Sequence, residues 1–106
     1  MKFLLFICVD PAITPDEGAD EINEWVDSVG GARRDGGPLQ APRTAVTVRV
    51  RDGKRLETNG PFANLTGEYI AGFDLIDCAT REEAVEIAAR HPVARFGAIE
   101  VRELID

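Results

Sequence analysis

The single histidine of this chain, His91, is the residue best suited to proton-transfer chemistry. An imidazole titrates near neutral pH and often serves as a general acid or base. Asp10 ends an apolar run and Glu68 precedes another, so either carboxylate is placed to orient the ring. We therefore predict His91 and Asp10 as catalytic residues, with Glu68 as a ligand contact. The competing interpretation is structural, because His91 also ends a predicted helix, where the helix dipole favours a cation.

Four further residues are predicted to contact a ligand. Asp74, Glu100 and Arg102 are expected on the sheet face that the helices leave uncovered. There they would bind a polar ligand or pair with one another across strands or an interface, since a charge on an apolar face needs compensation. Asn59 opens an Asn-Gly-Pro-Phe loop. That loop either shapes a pocket through its backbone N–H groups or forms a turn whose Phe62 packs into the core.

The two cysteines, Cys8 and Cys78, are predicted to be free thiols. They share no C-x-x-C spacing, and no second histidine is present to complete a zinc site. In the topology predicted below they lie near opposite ends of antiparallel strands, farther apart than a disulfide allows. We expect no metal and no bound cofactor.

The charge and hydropathy of the chain argue against two classes of partner. The formal charge is −7 and the pI is near 4.7, so a phosphate backbone would be repelled, and no basic stripe with interleaved aromatic residues compensates. The apolar run over residues 3–9 is too short to span a membrane and meets Asp10 and Pro11 without a small-residue cleavage site. We predict a cytoplasmic protein that binds neither nucleic acid nor membranes.

The elements that position these residues follow from periodicity and turn chemistry. A length of 106 residues fits a single domain over residues 1–106. Both predicted helices begin with a capping box, and the second hairpin strand follows an Asp-Gly turn. The predicted order is a strand over 3–9, a helix from Thr14–Glu17 to Gly30, a strand over 32–35, a hairpin over 44–50 and 54–58, a strand over 69–76, a helix from Thr80 to His91, and a strand over 97–104.

This order predicts an α+β, ferredoxin-like βαββαβ fold with an inserted β-hairpin and with both helices on one sheet face. The other face would then expose apolar side chains, and such a patch usually marks an interface. A homodimer that packs sheet on sheet would cover it. The side chains predicted on that face are Leu4, Phe6, Cys8, Ile70 and Ile76.

The same topology predicts that one rim of the sheet collects the polar residues. The first and third core strands run antiparallel, so Asp10, at the end of the first, lies where the second helix ends at His91. The loop from Asn59 to Glu68 arrives at this rim as well. We expect any selective binding or chemistry there.

Three short motifs give the chain a resemblance to a known family. They are Asn59-Gly60-Pro61-Phe62, Gly72-Phe73-x-Leu75-Ile76-Asp77, and Ala89-Arg90-His91-Pro92 followed by Gly97-Ala98-Ile99-Glu100-Val101-Arg102. In order and spacing the chain resembles the YCII-related proteins, in particular the branch named after its D-G-P-F motif. The resemblance covers nearly the whole length and implies that the fold pairs as a dimeric α/β barrel.

The chain also departs from the family pattern at two positions that bear on function. The leading aspartate of the motif is Asn59 here, and a histidine proposed as catalytic on the first helix of other family members has no counterpart, because residues 15–29 contain none. Relatives with related folds include enzymes acting on small cyclic or chlorinated aromatic metabolites, and some branch members are associated with alternative sigma factors.

Two hypotheses for function follow. The first is a small-molecule-binding protein. If it is catalytic, it is a cofactor-independent enzyme that acts on a small organic metabolite. The second is a non-catalytic regulatory or protein-interaction dimer, for example one accessory to a transcription factor. The sequence leaves open whether the chain is an enzyme.

Overall fold

The computed structural model describes residues 1–15, 18–63 and 67–105, and it has the α+β architecture that the sequence predicts. Four strands form an antiparallel sheet in the order β2-β5-β1-β6, which is the ferredoxin-like order. The elements are β1 Lys2–Val9, α1 Ala19–Val29, β2 Arg33–Pro38, β3 Val46–Arg51, β4 Lys54–Asn59, β5 Tyr69–Asp77, α2 Arg81–Ala89 and β6 Ala98–Glu103. No helix in the described ranges is long and apolar enough to cross a membrane.

The hydrophobic core lies between the sheet and the two helices. Alternate residues of β1 point to this side, which we call the inner face, and Phe3 and Leu5 are almost completely buried there. Trp25 and Val29 of α1 and Ile87 of α2 pack into the same core. Since both helices contribute to this one core, the inner face is the side on which they lie.

A β-bulge in β5 decides which of its residues face the helices. Ile7 pairs with Gly72, but the next residue, Cys8, pairs with Ile70, so one residue of β5 is left without an opposite partner. An extra residue shifts the two-residue alternation by one position. The predicted placement of Ile70 on the uncovered face is confirmed, whereas the placement of Ile76 there is wrong, because Ile76 is fully buried in the core.

The opposite side of the sheet, which we call the open face, carries a second apolar surface. None of its side chains belongs to the buried core cluster among the residues described. The register with β1 places Phe73 and Leu75 of β5 on the open face, although simple alternation from Ile70 would put them on the other side. The apolar residues of the open face are Leu4, Phe6, Cys8, Ile70, Phe73 and Leu75.

The two helix starts differ from each other. α2 begins with the predicted cap: the Thr80 Oγ1 accepts the Glu83 backbone N–H at 3.1 Å, and the Glu83 Oε2 accepts the Ala79 N–H at 3.0 Å. α1 begins at Ala19, later than predicted, with Gly18 as an N-cap that offers no side-chain hydrogen bond. Glu17, half of the capping box predicted for this helix, lies outside the described residues.

β3 and β4 pair with each other as a separate two-stranded sheet. Asp52 and Gly53 at the tip both have positive φ, 52° and 73°, as a type I′ turn requires. Phe62, which follows β4, is 79% exposed. The alternative in which this ring packs into the core is therefore wrong, because most of the ring is accessible to solvent.

Candidate ligand-binding site

A cleft of about 440 Å³ opens between α1 and the inner face of the sheet. This volume lies within the range of roughly 300–1,000 Å³ that is usual for small-molecule pockets. Most of its wall is apolar, formed by side chains such as Ile7, Val9, Ile22 and Val26. Small residues of β2 and β5 line the cleft as well, and they leave space beneath α1.

His91 is one of the polar side chains in this wall. The residue is only 4% exposed. Its ring meets the Trp25 ring edge to face, with centroids 4.6 Å apart and an interplanar angle of 64°. Trp25 is itself held by a 2.9 Å hydrogen bond from its Nε1 to the carbonyl oxygen of Ile87. Packing therefore fixes the plane of the imidazole.

The backbone determines which nitrogen of His91 carries the proton. The Nδ1 accepts the Val93 N–H at 3.0 Å and so caps the 3-10 helix Pro92–Arg95. A neutral imidazole with an unprotonated Nδ1 must carry its proton on Nε2. The Nε2 has no hydrogen-bond partner among the described residues, and none of their side-chain polar atoms is both buried and unpartnered. The Nε2–H is therefore accessible in the cleft.

Burial keeps this imidazole neutral. It lowers the pKa of His91 from 6.5 to about 4. The predicted place of His91 in the last turn of the second helix is wrong, because α2 ends at Ala89 and His91 follows it. Stabilisation of a cationic imidazole by the helix dipole consequently does not describe this residue.

Besides His91 and Asn23, an ion pair forms a polar part of the wall. The Arg33 Nε donates to the Asp74 Oδ1 at 2.7 Å, and Asp74 is 5% exposed. Burial raises the pKa of the Asp74 carboxyl, while the hydrogen bond and the charge of Arg33 oppose that shift. Arg33 reaches the carboxylate because β2 also has a register shift, which puts Arg33 and Gly36 on the inner face.

Gly36 lies directly against this ion pair. A Cβ at this position would overlap the Asp74 Oδ1 and would come within 2.8 Å of a terminal nitrogen of Arg33. Its φ of 155° is also a conformation that other residues rarely adopt. The absence of a side chain here therefore lets the carboxylate and the guanidinium meet beside the cleft.

Comparison with known proteins places the chain in a family. The family model for the YCII-related domain matches residues 1–106. The chain belongs to the YCII-related family. It is also similar to an uncharacterized protein of Rhizobium meliloti (strain 1021), with 42% identity over 62 residues. That match covers 57% of this chain and 49% of the relative, so the chain aligns with about half of the relative's length.

In this YCII-related chain the residues predicted for the rim lie on different segments and make separate local contacts. No hydrogen bond or ion pair joins His91 to Asp10 or Glu68 within the described ranges. Asp10 instead accepts the Ala12 N–H at 2.9 Å in a local turn. Asn59 is exposed at the end of β4 in the hairpin. Glu68 is exposed, and its charge acts on the thiol of Cys8.

The three charged residues predicted for the uncovered sheet face are divided between the two faces. Glu100 and Arg102 pair with Phe6 and Leu4 and so lie on the open face, as predicted. Their side chains approach each other at 3.8 Å and are both exposed. Asp74 does not join them: its predicted place on the uncovered face is wrong, because the bulge turns it toward the helices.

The cysteines are free, as predicted. Burial raises the pKa of the Cys8 thiol, and the charges of Glu100 and Glu68 add to the effect. Burial likewise raises the pKa of Cys78, with Glu83 adding to it. A raised pKa leaves less thiolate at neutral pH, so both thiols are poor nucleophiles. Nowhere in the described ranges do three or more His, Cys, Asp or Glu side chains cluster as a metal site would require.

Two residues of the cleft were missed by sequence reasoning. Arg33 and Trp25 were not among the residues predicted for a site. The one usable signal for Arg33 was its place at the start of a strand that also contains two glycines, where bulges are frequent. Nothing in the sequence pairs Arg33 with Asp74, which is distant along the chain.

Proposed function

We propose that this YCII-related protein binds a small organic molecule in the cleft between α1 and the inner face. The observation that carries this proposal is the accessible Nε2–H of His91, held in a mostly apolar cavity of about 440 Å³. A few fixed polar groups in an apolar pocket are typical of small-molecule sites. The Arg33–Asp74 pair supplies a second fixed polar group in the same wall.

The geometry supports binding better than proton transfer by His91. A general base needs an unprotonated nitrogen that faces the substrate, but the unprotonated nitrogen of His91 is already used by the Val93 N–H. A general acid needs a pKa near the working pH, whereas burial places the pKa of His91 at about 4. We infer that His91 orients a ligand as a neutral hydrogen-bond donor.

A titration followed by NMR tests the proposal, because the chain has one histidine and one tryptophan and their ring signals need no further assignment. Phenol, acetophenone, isopropylbenzene and benzoate are added separately at up to millimolar concentration. At least one should shift the ring signals of His91 and Trp25 in a saturable manner.

Two variants on the same helix provide the matched comparison. Asn23→Phe puts a large ring at a residue that lines the cleft and should abolish the saturable shifts. Glu24→Phe puts the same ring at the adjacent exposed residue, which does not line the cleft, and should leave them unchanged. Shifts with none of the four compounds, or equal shifts in both variants, would contradict a binding site in this cleft.

We further propose that the chain is a member of the DGPF-motif branch of the family and that it forms a dimeric α/β barrel through the open face. The loop from Asn59 to Phe62 supports the branch, with asparagine in place of the leading aspartate. The apolar residues of the open face support the dimer, since Ile70 on that face is 43% exposed in the single chain.

Sedimentation at micromolar concentration tests the dimer and should give twice the chain mass. Phe6→Asp, at the centre of the open face, should give the monomer mass. Val85→Asp, on the exposed side of α2, should leave the dimer intact. A wild-type monomer, or a dimer that survives Phe6→Asp, would exclude association through this face.

A non-catalytic regulatory or protein-interaction dimer is the second candidate function. The open face favours it, together with the exposed Phe62 and the row of valines in β3 that are each more than half exposed, Val46, Val48 and Val50. Failure of all four compounds in the NMR titration, with a dimer in sedimentation, is the result that would favour this function over ligand binding.

A further inference from the structure

The donor at the cleft wall and the charge balance around it restrict the chemistry of the ligand. The cleft of about 440 Å³ carries an imidazole donor, His91, the side-chain amide of Asn23, and one ion pair, Arg33 with Asp74. We propose that the site takes an uncharged organic molecule with an apolar body and a carbonyl oxygen that accepts the hydrogen bond of the His91 Nε2–H. This inference rests on the binding function proposed above and specifies its ligand.

The hydrogen bond from the backbone requires an acceptor on the ligand. The Val93 N–H approaches the Nδ1 at 3.0 Å, so the tautomer with a proton on Nδ1 would place two hydrogens against each other. The Nε2 can then only donate. A hydroxyl can also accept a hydrogen bond, but it must place its own proton on a second acceptor, whereas a carbonyl oxygen has no proton to place. A carbonyl therefore satisfies this donor by itself, whereas a hydroxyl would also have to reach Asn23 or Asp74 with its own proton.

The ring of His91 is held in position before a ligand arrives. The edge-to-face contact with Trp25 and the hydrogen bond from Trp25 to the Ile87 carbonyl brace one side of the imidazole. The Val93 N–H holds the Nδ1 edge of the ring. A donor whose direction is already fixed loses little conformational freedom on binding, so its hydrogen bond contributes to selectivity.

The charges favour a neutral ligand over a carboxylate. The charge of Arg33 is already matched by Asp74, and His91 is neutral because of its burial. A carboxylate in the cleft would lose its hydration and meet a second, nearly buried carboxylate without an unmatched cation among the described lining residues. A ketone, aldehyde, ester or amide loses less hydration and keeps the hydrogen bond.

Three compounds of similar size separate these properties. Acetophenone has a carbonyl and no charge, isopropylbenzene lacks the acceptor, and benzoate carries a charge. From the ordinary net contribution of a hydrogen bond, we expect acetophenone to bind roughly two- to tenfold more tightly than isopropylbenzene. Benzoate should bind at least about tenfold more weakly than acetophenone. The carbonyl stretching frequency of bound acetophenone should fall, as it does on accepting a hydrogen bond.

His91→Phe is the decisive variant, because it keeps a ring in the wall and removes the donor. It should reduce the affinity for acetophenone to that for isopropylbenzene and leave isopropylbenzene binding unchanged. Retained isopropylbenzene binding also shows that the cleft of the variant is intact. If the variant does not fold, the wild-type carbonyl frequency and the tautomer of the single histidine, obtained from long-range 1H–15N NMR spectra, still test the proposal.

The outcomes distinguish this inference from the proposed function. Binding of isopropylbenzene with no gain for acetophenone, or binding of benzoate as tight as that of acetophenone, would overturn the ligand class and keep the cleft as a binding site. A proton on Nδ1 of His91 in the neutral wild-type protein would overturn it as well. Binding of phenol alone would also overturn the ligand class and keep the binding site, whereas both proposals fail if none of the four compounds binds.

Discussion

His91→Asn should remove a pH dependence of stability that the wild-type protein shows on mild acidification. In the unfolded chain the histidine takes up a proton near its ordinary pKa of 6.5, whereas in the folded protein burial holds the pKa at about 4. The unfolding free energy therefore has its full value above pH 6.5 and falls as the pH decreases toward 4, since only the unfolded state binds the proton in this range. Protonation in the folded protein would put a hydrogen on the Nδ1, which could then no longer accept the Val93 N–H.

The size of the effect follows from the two pKa values. The difference between 6.5 and about 4 corresponds, at about 1.36 kcal/mol for each pH unit, to about 3 kcal/mol of unfolding free energy. The asparagine of the variant would retain a side-chain oxygen that can accept the Val93 N–H, as asparagine does at helix N-caps, but would not titrate. The raised pKa of Asp74 acts in the opposite direction and is present in both proteins, so it cancels in their comparison.

Urea denaturation followed by circular dichroism is the appropriate assay, because protonation of His91 would alter the fluorescence of the adjacent Trp25 directly. Unfolding free energies of the wild type and His91→Asn are measured from neutral pH to just above pH 4. The wild type should lose about 3 kcal/mol more than the variant over this range. Parallel curves, or an NMR titration of His91 with a midpoint near 6.5, would refute the assignment of a buried, neutral imidazole.

Three further predictions concern the cleft wall and the thiols. Arg33→Met should lower the unfolding free energy by about 3 kcal/mol in thermal or urea denaturation, because it leaves the Asp74 carboxylate buried without its partner. Asp74→Asn removes the buried charge and should therefore lower the unfolding free energy by less. A larger loss for Asp74→Asn than for Arg33→Met would contradict the ion pair. Gly36→Ala should cost about 1–3 kcal/mol through overlap with the Asp74 Oδ1, and an unchanged melting temperature would argue against this close approach. Thiol titration should find Cys8 and Cys78 both free in denaturant and slow to react in the native protein, since burial raises both pKa values; fast native reaction would contradict it.

Local chemistry was sufficient to predict the order of the elements and several of their ends. The Asp52–Gly53 turn could be inferred because type I′ geometry needs positive φ at both positions, which few residues tolerate. The Thr80 cap could be inferred because the hydroxyl and the N–H that it accepts are three residues apart. Strand periodicity in β1 likewise predicted which of its residues are buried.

The candidate site depended on contacts that periodicity cannot describe. Asp74 was assigned to the wrong face because the bulge beside Ile7 and Cys8 interrupts the alternation, and a bulge is a property of two paired strands. Arg33 meets Asp74 only after a similar shift in β2. His91 was predicted as an acid or base, with a cationic helix end as the alternative, but its ring lines the cleft, where Trp25 and the Val93 N–H hold it. The sequence by itself determined the order of the strands and helices, since each follows from neighbouring residues, and the free thiols follow from the opposite strand ends that this order predicts. Only the tertiary structure decided which charged and polar groups share a wall, because burial, register and desolvation arise from segments far apart in the chain.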